Sequence, residues 1–508
     1  MSRGRFALLI GGSLLLVGCV SFTSDGGTST VPGDAPITSS PSSAPTSTST
    51  STTVALPTTE LRVIDPEFNA ISGAAVGDLG VTGDDGYLRL TTPSGPVTVE
   101  ANGYLPELAS EWFPGEQEIM LQPKVVGGVV QTPAGDLLEG ATAVLGGTSA
   151  TTDAFGRFVL SPAPIGVIQV EKPGWSSVEI EWLGSEPEVS LTLEPEFVRA
   201  LHVSGWAVGD ADHWQRILDL AATTEINSLA VDLKDESGRV FYPSTVALAE
   251  QVDAIGGNYL LEDVVATMAD HGLYLIGRIV TFQDPTAARA APELAVWDSS
   301  RGAPYEKNGQ YFLDPTDPVA QQYALDLAVE ACQAGFDEIQ FDYVRFPDGF
   351  GSSAVFDGGA STETRPIVIR DFLSQAGDLL HPHGCAVAAD IFGFITSTTG
   401  DGGIGQQLEE LARVTDVLSP MLYPSHYSEG WFGFAVPNDH PGPVIAAALD
   451  DGLARLDSTA VFRPWIQDFL YNSTQVRAEI DAAESRGSGW MLWNVFSRFS
   501  EGALNPAE

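Results

Sequence analysis

From residue 196 onward the chain alternates eight short apolar runs with amphipathic stretches, and that rhythm admits few folds. The apolar runs cover 200–206, 228–234, 274–280, 338–345, 386–392, 417–423, 461–468 and 489–495. Helical periodicity fills 214–222, 260–271, 319–334, 367–380, 404–414, 442–456 and 475–486. Strands and helices in this order within 197–508 predict a (β/α)8 TIM barrel, with too little chain after the last strand for a full final helix. A doubly wound open sheet is the alternative, but no glycine-rich phosphate fingerprint follows the first run.

Barrel strands alternate faces, so turning the branched apolar residues outward fixes what lines the lumen. The inward set is unusually polar. It comprises His202 and Ser204, Asp232 and Lys234, Arg278, Gln340 and Asp342, Asp390 behind Ala386 and Ala388, Tyr423, Gln467 and Asn494. Such interiors normally hold Val, Ile and Leu, and active sites gather where the strands end. Asp342, Asp390 and Asp232 come late in their strands and are the candidate catalytic residues.

Two carboxyls on neighbouring strands suit glycosidic cleavage, one ionised as nucleophile or base and one protonated as acid. Arg278 holds a nearby carboxylate ionised, which leaves Asp390, flanked by Ile391 and Phe392, as the candidate for a raised pKa. Aromatic residues gather at the same rim: Trp206, Tyr343, Tyr423, Tyr427, Trp431, Trp465 and Trp493, with His426 among them. Sugar rings present apolar C–H faces, so these residues read as substrate-binding, together with Arg278, Lys234, Gln340, Arg345, Gln467 and Asn494. Asp235 and Glu236 read as a solvated loop, and Asp284-Pro285 and Asp314-Pro315 as helix-start turns. Cys332 and Cys385, both toward the bottom of the barrel, read either as a disulfide or as two buried thiols.

The run Asp337-Glu338-Ile339-Gln340-Phe341-Asp342-Tyr343-Val344-Arg345-Phe346-Pro347 adds a family likeness. With Val231 to Asp235, Gly277 to Val280, Phe282 to Pro285 and Leu313 to Pro315, it resembles a bacterial glycoside hydrolase barrel family catalogued as a domain of unknown function. The likeness spans 197–508. It implies an α-amylase-like barrel with its acidic residue at the end of the fourth strand, here Asp342. Related barrels often carry Glu after the fifth strand where this chain has Asp390, so Asp232 and Asp468 stand as reserve acids.

The region before the barrel reads as an address, a tether and two spacers. Arg3 and Arg5 precede an apolar run over 6–17, the layout of a secretory signal over 1–18. Leu16-Val17-Gly18-Cys19 resembles the bacterial lipobox, which implies diacylation at Cys19 and attachment to a membrane. Residues 19–59 are Ser, Thr, Pro and Gly rich and bury too little to order themselves. Two β units are expected over 60–123 and 124–195, because Thr82 to Leu90 is echoed by Thr152 to Leu160 and Gly103-Tyr104 by Gly174-Trp175. They resemble carboxypeptidase regulatory-like, transthyretin-like β-sandwich domains, which implies small antiparallel spacers without chemistry of their own.

The charge balance narrows the partners. Lys and Arg number 24 against 67 Asp and Glu, a formal charge of -43 that repels nucleic acid. With 3 Cys and 7 scattered His, no zinc or iron–sulfur pattern appears and no cofactor is expected. A hydrolase using Asp232, Asp342 and Asp390 as oxygen ligands to a metal is a further reading. The sequence therefore predicts a lipid-anchored, extracytoplasmic glycoside hydrolase acting on a polysaccharide or cell-wall glycan. The alternative is a catalytically silent glycan-binding lipoprotein of the envelope.

Overall fold

A computed structural model describes residues 56–507, so the signal, Cys19 and the tether up to residue 55 lie outside the described residues. Eight parallel strands close on themselves: β1 (Arg199–Val203), β2 (Ser228–Lys234), β3 (Tyr274–Val280), β4 (Glu338–Asp342), β5 (Ala386–Phe392), β6 (Val417–Met421), β7 (Val461–Phe462 and Trp465–Gln467) and β8 (Trp490–Trp493). Each pairs with the next, and β8 returns to β1 through Ala200 opposite Met491. The barrel is thus a TIM barrel and not an open sheet.

Helices follow seven of the strands: α1 (Ala211–Thr223), α2 (Leu261–His271), α3 (Pro318–Ala334), α4 (Thr364–Leu380), α5 (Leu408–Leu411), α6 (Pro441–Leu453) and α7 (Ser473–Glu484). Their starts are written in side chains. Asp317 caps α3 by accepting from Val319 and Ala320 N–H, and Asn472 forms a reciprocal capping box with Gln475 on α7. The predicted stretch 404–414 shrinks to the single turn α5, and β8 is followed by the 3-10 turn Glu501–Ala503.

The strands end earlier than their apolar runs. β4 stops at Asp342 because Tyr343 takes φ 49, a left-handed turn that swings the chain outward. Val198, Ala200, Ala230, Ile276 and Met491 plug the lower lumen. Beneath them Arg463 donates to both oxygens of Glu338, at 2.7 and 2.9 Å, in a fully buried pair.

The N-terminal region forms two small units, each with its own apolar core: Leu61, Val63, Val76 and Val99 in one, Val130, Phe158, Ile168 and Trp182 in the other. Matching contacts occur in the two units. Thr82 Oγ donates to Ile71 O at 2.7 Å and accepts from Ala74 N–H at 2.9 Å; Thr152 does the same with Leu138 and Ala141. Gly86 and Gly156 both take positive φ, and a Cβ on either would stand within 2.8 Å of a backbone oxygen.

The sheets are mostly antiparallel, with one correction to the antiparallel expectation. Thr58–Ile64 pairs parallel with Gly115–Met120, and Val126–Gln131 parallel with Glu188–Thr192. The second unit docks beneath the barrel, where β5 and β6 begin. Lys172 Nζ reaches Asp416 at 3.2 Å, and Gly174 lies against Ala386 and Val417. Burial alone would raise the Asp416 carboxyl, but His381 and Lys172 outweigh it and hold it below the usual carboxylate range. The open rim at the strand C-termini stays clear of this contact.

Candidate active site

Arg278 is the centre of the upper lumen. Fully buried on β3, it donates from Nη1 to Asp232 Oδ1 at 2.7 Å, from Nε to Asp342 Oδ2 at 3.0 Å, and from Nη2 to Asp342 Oδ2 and Glu236 Oε1, each at 2.5 Å. Burial would discharge a guanidinium, but the facing carboxylates outweigh it and hold Arg278 firmly charged.

On the β2 side, His202 Nε2 lies 3.1 and 3.2 Å from the two Asp232 oxygens, while its Nδ1 lies 3.0 Å from Asn494 O. Tyr259 donates its hydroxyl to Asp232 O. Burial raises the Asp232 carboxyl, yet His202 and Arg278 together overcome that and lower it. Asp232 is therefore an ionised part of the scaffold around Arg278.

The β4–β5 register sets Phe341 opposite Ala389, which brings Asp342 and Asp390 to the same level on adjacent strands. Neighbouring strands lie about 4.8 Å apart. Asp342 Oδ1 accepts from Tyr343 N–H at 2.6 Å, so both of its oxygens are bound. Asp390 differs. It is 1% exposed, Trp465 Nε1 donates to its Oδ1 at 2.8 Å, and its Oδ2 has no hydrogen-bond partner among the described residues. Burial first, then the Asp342 charge, pushes its carboxyl well above the usual range. One carboxyl is paired with Arg278, and its neighbour is buried, unpaired at Oδ2 among the described residues and shifted upward.

The aromatic residues divide by what they touch. Trp493 stacks on His202 with ring centres 4.0 Å apart and lies beneath Arg278 at 4.7 Å, and Trp465 meets it edge-on. Tyr423 is buried between β6 and His426; burial and then Asp390 and Asp342 raise its phenol. Burial lowers the His426 imidazole. Trp206 is 56% exposed at the rim, its ring set edge-on against Phe241 and beneath Arg239. Tyr427 and Trp431 form a T-shaped pair. Tyr343 and Phe392 flank the buried Arg345 guanidinium, which donates to Phe346 O at 3.1 Å.

The lumen expectation for Lys234 needs correction, and the remaining polar residues have partners of their own. Lys234 does not face the lumen: a register shift between Asp232 and Lys234 turns it toward the helices, where Nζ meets Asp284 at 2.8 Å, Val280 O at 2.7 Å and the Tyr323 ring. Gln467 is occupied by Ser425 and Phe469, Asn494 by Asp468 O and Phe496 N–H, and Gln340 Nε2 by Ser419. Asp468 accepts from Ser500 N–H at 2.8 Å and from Ser500 Oγ at 2.7 Å, fastening the final segment. Asp284 caps a helix as expected, whereas Asp314 clips Thr316 and Asp357, and Asp317 supplies the cap of α3.

Glu236, read as solvated, belongs to the Arg278 cluster; its place two residues beyond a lumen strand was the available signal. Cys332 and Cys385 are joined, with Cα atoms 6.0 Å apart. Among the described residues no three His, Cys, Asp or Glu side chains are grouped as metal ligands.

A family model described as "Putative glycosyl hydrolase domain" matches residues 200–499. Among solved structures, a hypothetical protein from Ruminiclostridium thermocellum is 38% identical over 37% of this chain and 96% of its own, with a TM-score of 0.34. The PgaB (BpsB) glycoside hydrolase domain from Bordetella bronchiseptica is 15% identical over 59% of this chain and 95% of its own, with a TM-score of 0.45. The glycoside hydrolase domain of PelA from Pseudomonas aeruginosa is 12% identical over 60% and 97%, with a TM-score of 0.36. No curated protein matches the chain.

Proposed function

Since the chain belongs to the glycosyl hydrolase domain family that matches residues 200–499, we propose that it cleaves O-glycosidic bonds of a polysaccharide with Asp342 and Asp390 as its two working carboxyls. The observation that carries the assignment is the asymmetry between them. Asp390 is buried, its carboxyl is shifted upward and its Oδ2 has no partner among the described residues, as suits an acid; Asp342 accepts from Arg278 and from Tyr343 N–H, as suits a nucleophile.

In the reaction Asp390 gives its proton to the glycosidic oxygen as the bond to C1 breaks. Asp342 stabilises the developing oxocarbenium ion and takes C1 covalently. Water, deprotonated by Asp390, then releases the sugar and restores both groups. The shared register on adjacent strands supports this retaining course, because retaining pairs stand roughly 5–5.5 Å apart. Asp232 and His202 hold Arg278 in place. Trp206 at the rim supplies a sugar-stacking face.

In this reading the protein works outside the cytoplasm, anchored through a lipid at Cys19, with the two β units spacing the barrel from the membrane. Support for the anchor is the Leu16-Val17-Gly18-Cys19 sequence. The catalytic assignment is tested with two leaving groups. Asp390→Asn loses cleavage of the natural glycan but keeps cleavage of an aryl glycoside whose phenolate needs no proton, whereas Asp342→Asn loses both. Equal loss on both substrates in Asp390→Asn contradicts the acid role.

A further inference from the structure

One carboxylate of the Arg278 cluster comes from the loop after β2. Asp235 to Arg239 forms a tight turn in which Asp235 Oδ1 accepts from Ser237 N–H at 2.9 Å and Gly238 N–H bonds Asp235 O at 3.0 Å. Gly238 has φ +81, and a Cβ there would stand 2.0 Å from Asp284 Oδ1. Thr286 Oγ donates to Ser237 O at 2.7 Å and fixes the turn from the far side. The backbone that carries Glu236 is therefore held firmly.

Its side chain is delivered to Arg278 Nη2, the nitrogen that also donates to Asp342 Oδ2. Exposure separates Glu236 from its companions: its side chain is 37% exposed, against 4% for Asp232 and 6% for Asp342. Asp232 holds Nη1 and Asp342 holds Nε, so Glu236 is the contact on the outer, cleft-facing edge of the guanidinium. A charge-assisted bond there fixes the plane of Arg278 and, through the shared Nη2, the direction of the Asp342 carboxylate.

We propose that Glu236 is a positioning residue for Asp342, acting through Arg278, an inference that rests on the hydrolase reading. Loss of Glu236 leaves Nη2 held by Asp342 alone, so the guanidinium can tilt with the Asp342 carboxylate and Asp342 loses its alignment toward C1. Misplacement of a reacting group by about 1 Å costs on the order of 100-fold in rate.

The test is steady-state kinetics on a polysaccharide that the wild type cleaves, with melting temperatures, for Glu236→Ala, Glu236→Gln and Asp342→Asn. Glu236→Ala is expected to lower kcat about 10–100-fold while KM stays within about threefold and the melting temperature is unchanged. Glu236→Gln, whose amide oxygen still accepts from Nη2, is expected to recover most of that loss. Wild-type kcat in Glu236→Ala beside an inactive Asp342→Asn overturns this inference alone. A rise in KM without loss of kcat overturns it in favour of simple substrate binding, and a kcat loss matched by loss of folded protein overturns it in favour of a structural role. A wild type that cleaves no glycan overturns the hydrolase reading, and the positioning role with it.

Discussion

Trp465 donates its indole N–H to Asp390 Oδ1 at 2.8 Å and leaves the buried Oδ2 of the same carboxyl without a partner among the described residues. One oxygen is thus oriented and the other is free to carry a proton. A carboxyl raised by burial and by the Asp342 charge is protonated below its shifted pKa, so the activity it supports as an acid falls as pH rises through that value. The Trp465 hydrogen bond favours the charged form and works against the shift. Trp465→Phe is expected to move the basic limb of the kcat profile to higher pH, and Asp390→Asn to lower kcat by about 10²–10⁴ and flatten that limb. Rate measurements across pH check both.

The same group has a stability signature. Its folded pKa is raised, so its stabilising contribution is complete below the unfolded value of about 3.9 and is lost as pH rises through the folded value. Asp390→Asn is therefore expected to gain stability relative to wild type as pH increases, read as a difference in urea midpoints.

Asp232 carries the opposite sign. His202 and Arg278 lower its carboxyl, so its contribution is present above about 3.9 and is lost as pH falls through the lowered folded value. The stability gap between wild type and Asp232→Asn should be constant near neutrality and shrink in acid, again by urea titration.

Beneath the site, Arg463 faces Glu338 with both side chains nearly inaccessible. Removing the guanidinium leaves a buried carboxyl without its cation, and Arg463→Ala should cost about 3–5 kcal/mol in thermal or chemical unfolding. Combining it with Glu338→Leu should recover part of that loss, because the stranded charge is removed.

The Cys332–Cys385 bond closes a sequence separation of 53 between α3 and β5. The loop-entropy account assigns a crosslink of that span about 4 kcal/mol. Reduction should lower the melting temperature measurably, and Cys332→Ala/Cys385→Ala should match the reduced protein and ignore reductant.

How much of this was legible in the sequence varied with the kind of signal. Alternation of branched residues placed Asp232, Arg278, Asp342 and Asp390 in the lumen, because period-two patterning holds wherever a strand is regular. It failed at Lys234, where a bulge shifted the register and sent the ammonium to Asp284. The upward shift of Asp390 was recognisable from its apolar neighbours, since desolvation is encoded locally. Glu236 was missed although it lies two residues beyond a lumen strand, because the turn that sends it back to Arg278 on the adjacent strand breaks the period-two pattern, and the Arg463–Glu338 pair was missed because it joins strands 125 residues apart. The repeated threonines and glycines of the N-terminal units were visible, but their parallel pairings were not, since pairing direction is set by chain path.

Asp342 is expected to act on a glycosidic bond. The most direct measurement incubates the purified protein and its Asp342→Asn variant with a panel of bacterial and storage polysaccharides and follows released oligosaccharides by mass spectrometry. Oligosaccharides from the wild type alone, with both proteins equally folded, are the predicted result. Equal release by the variant, or none by the folded wild type with glycan still bound, would contradict the account.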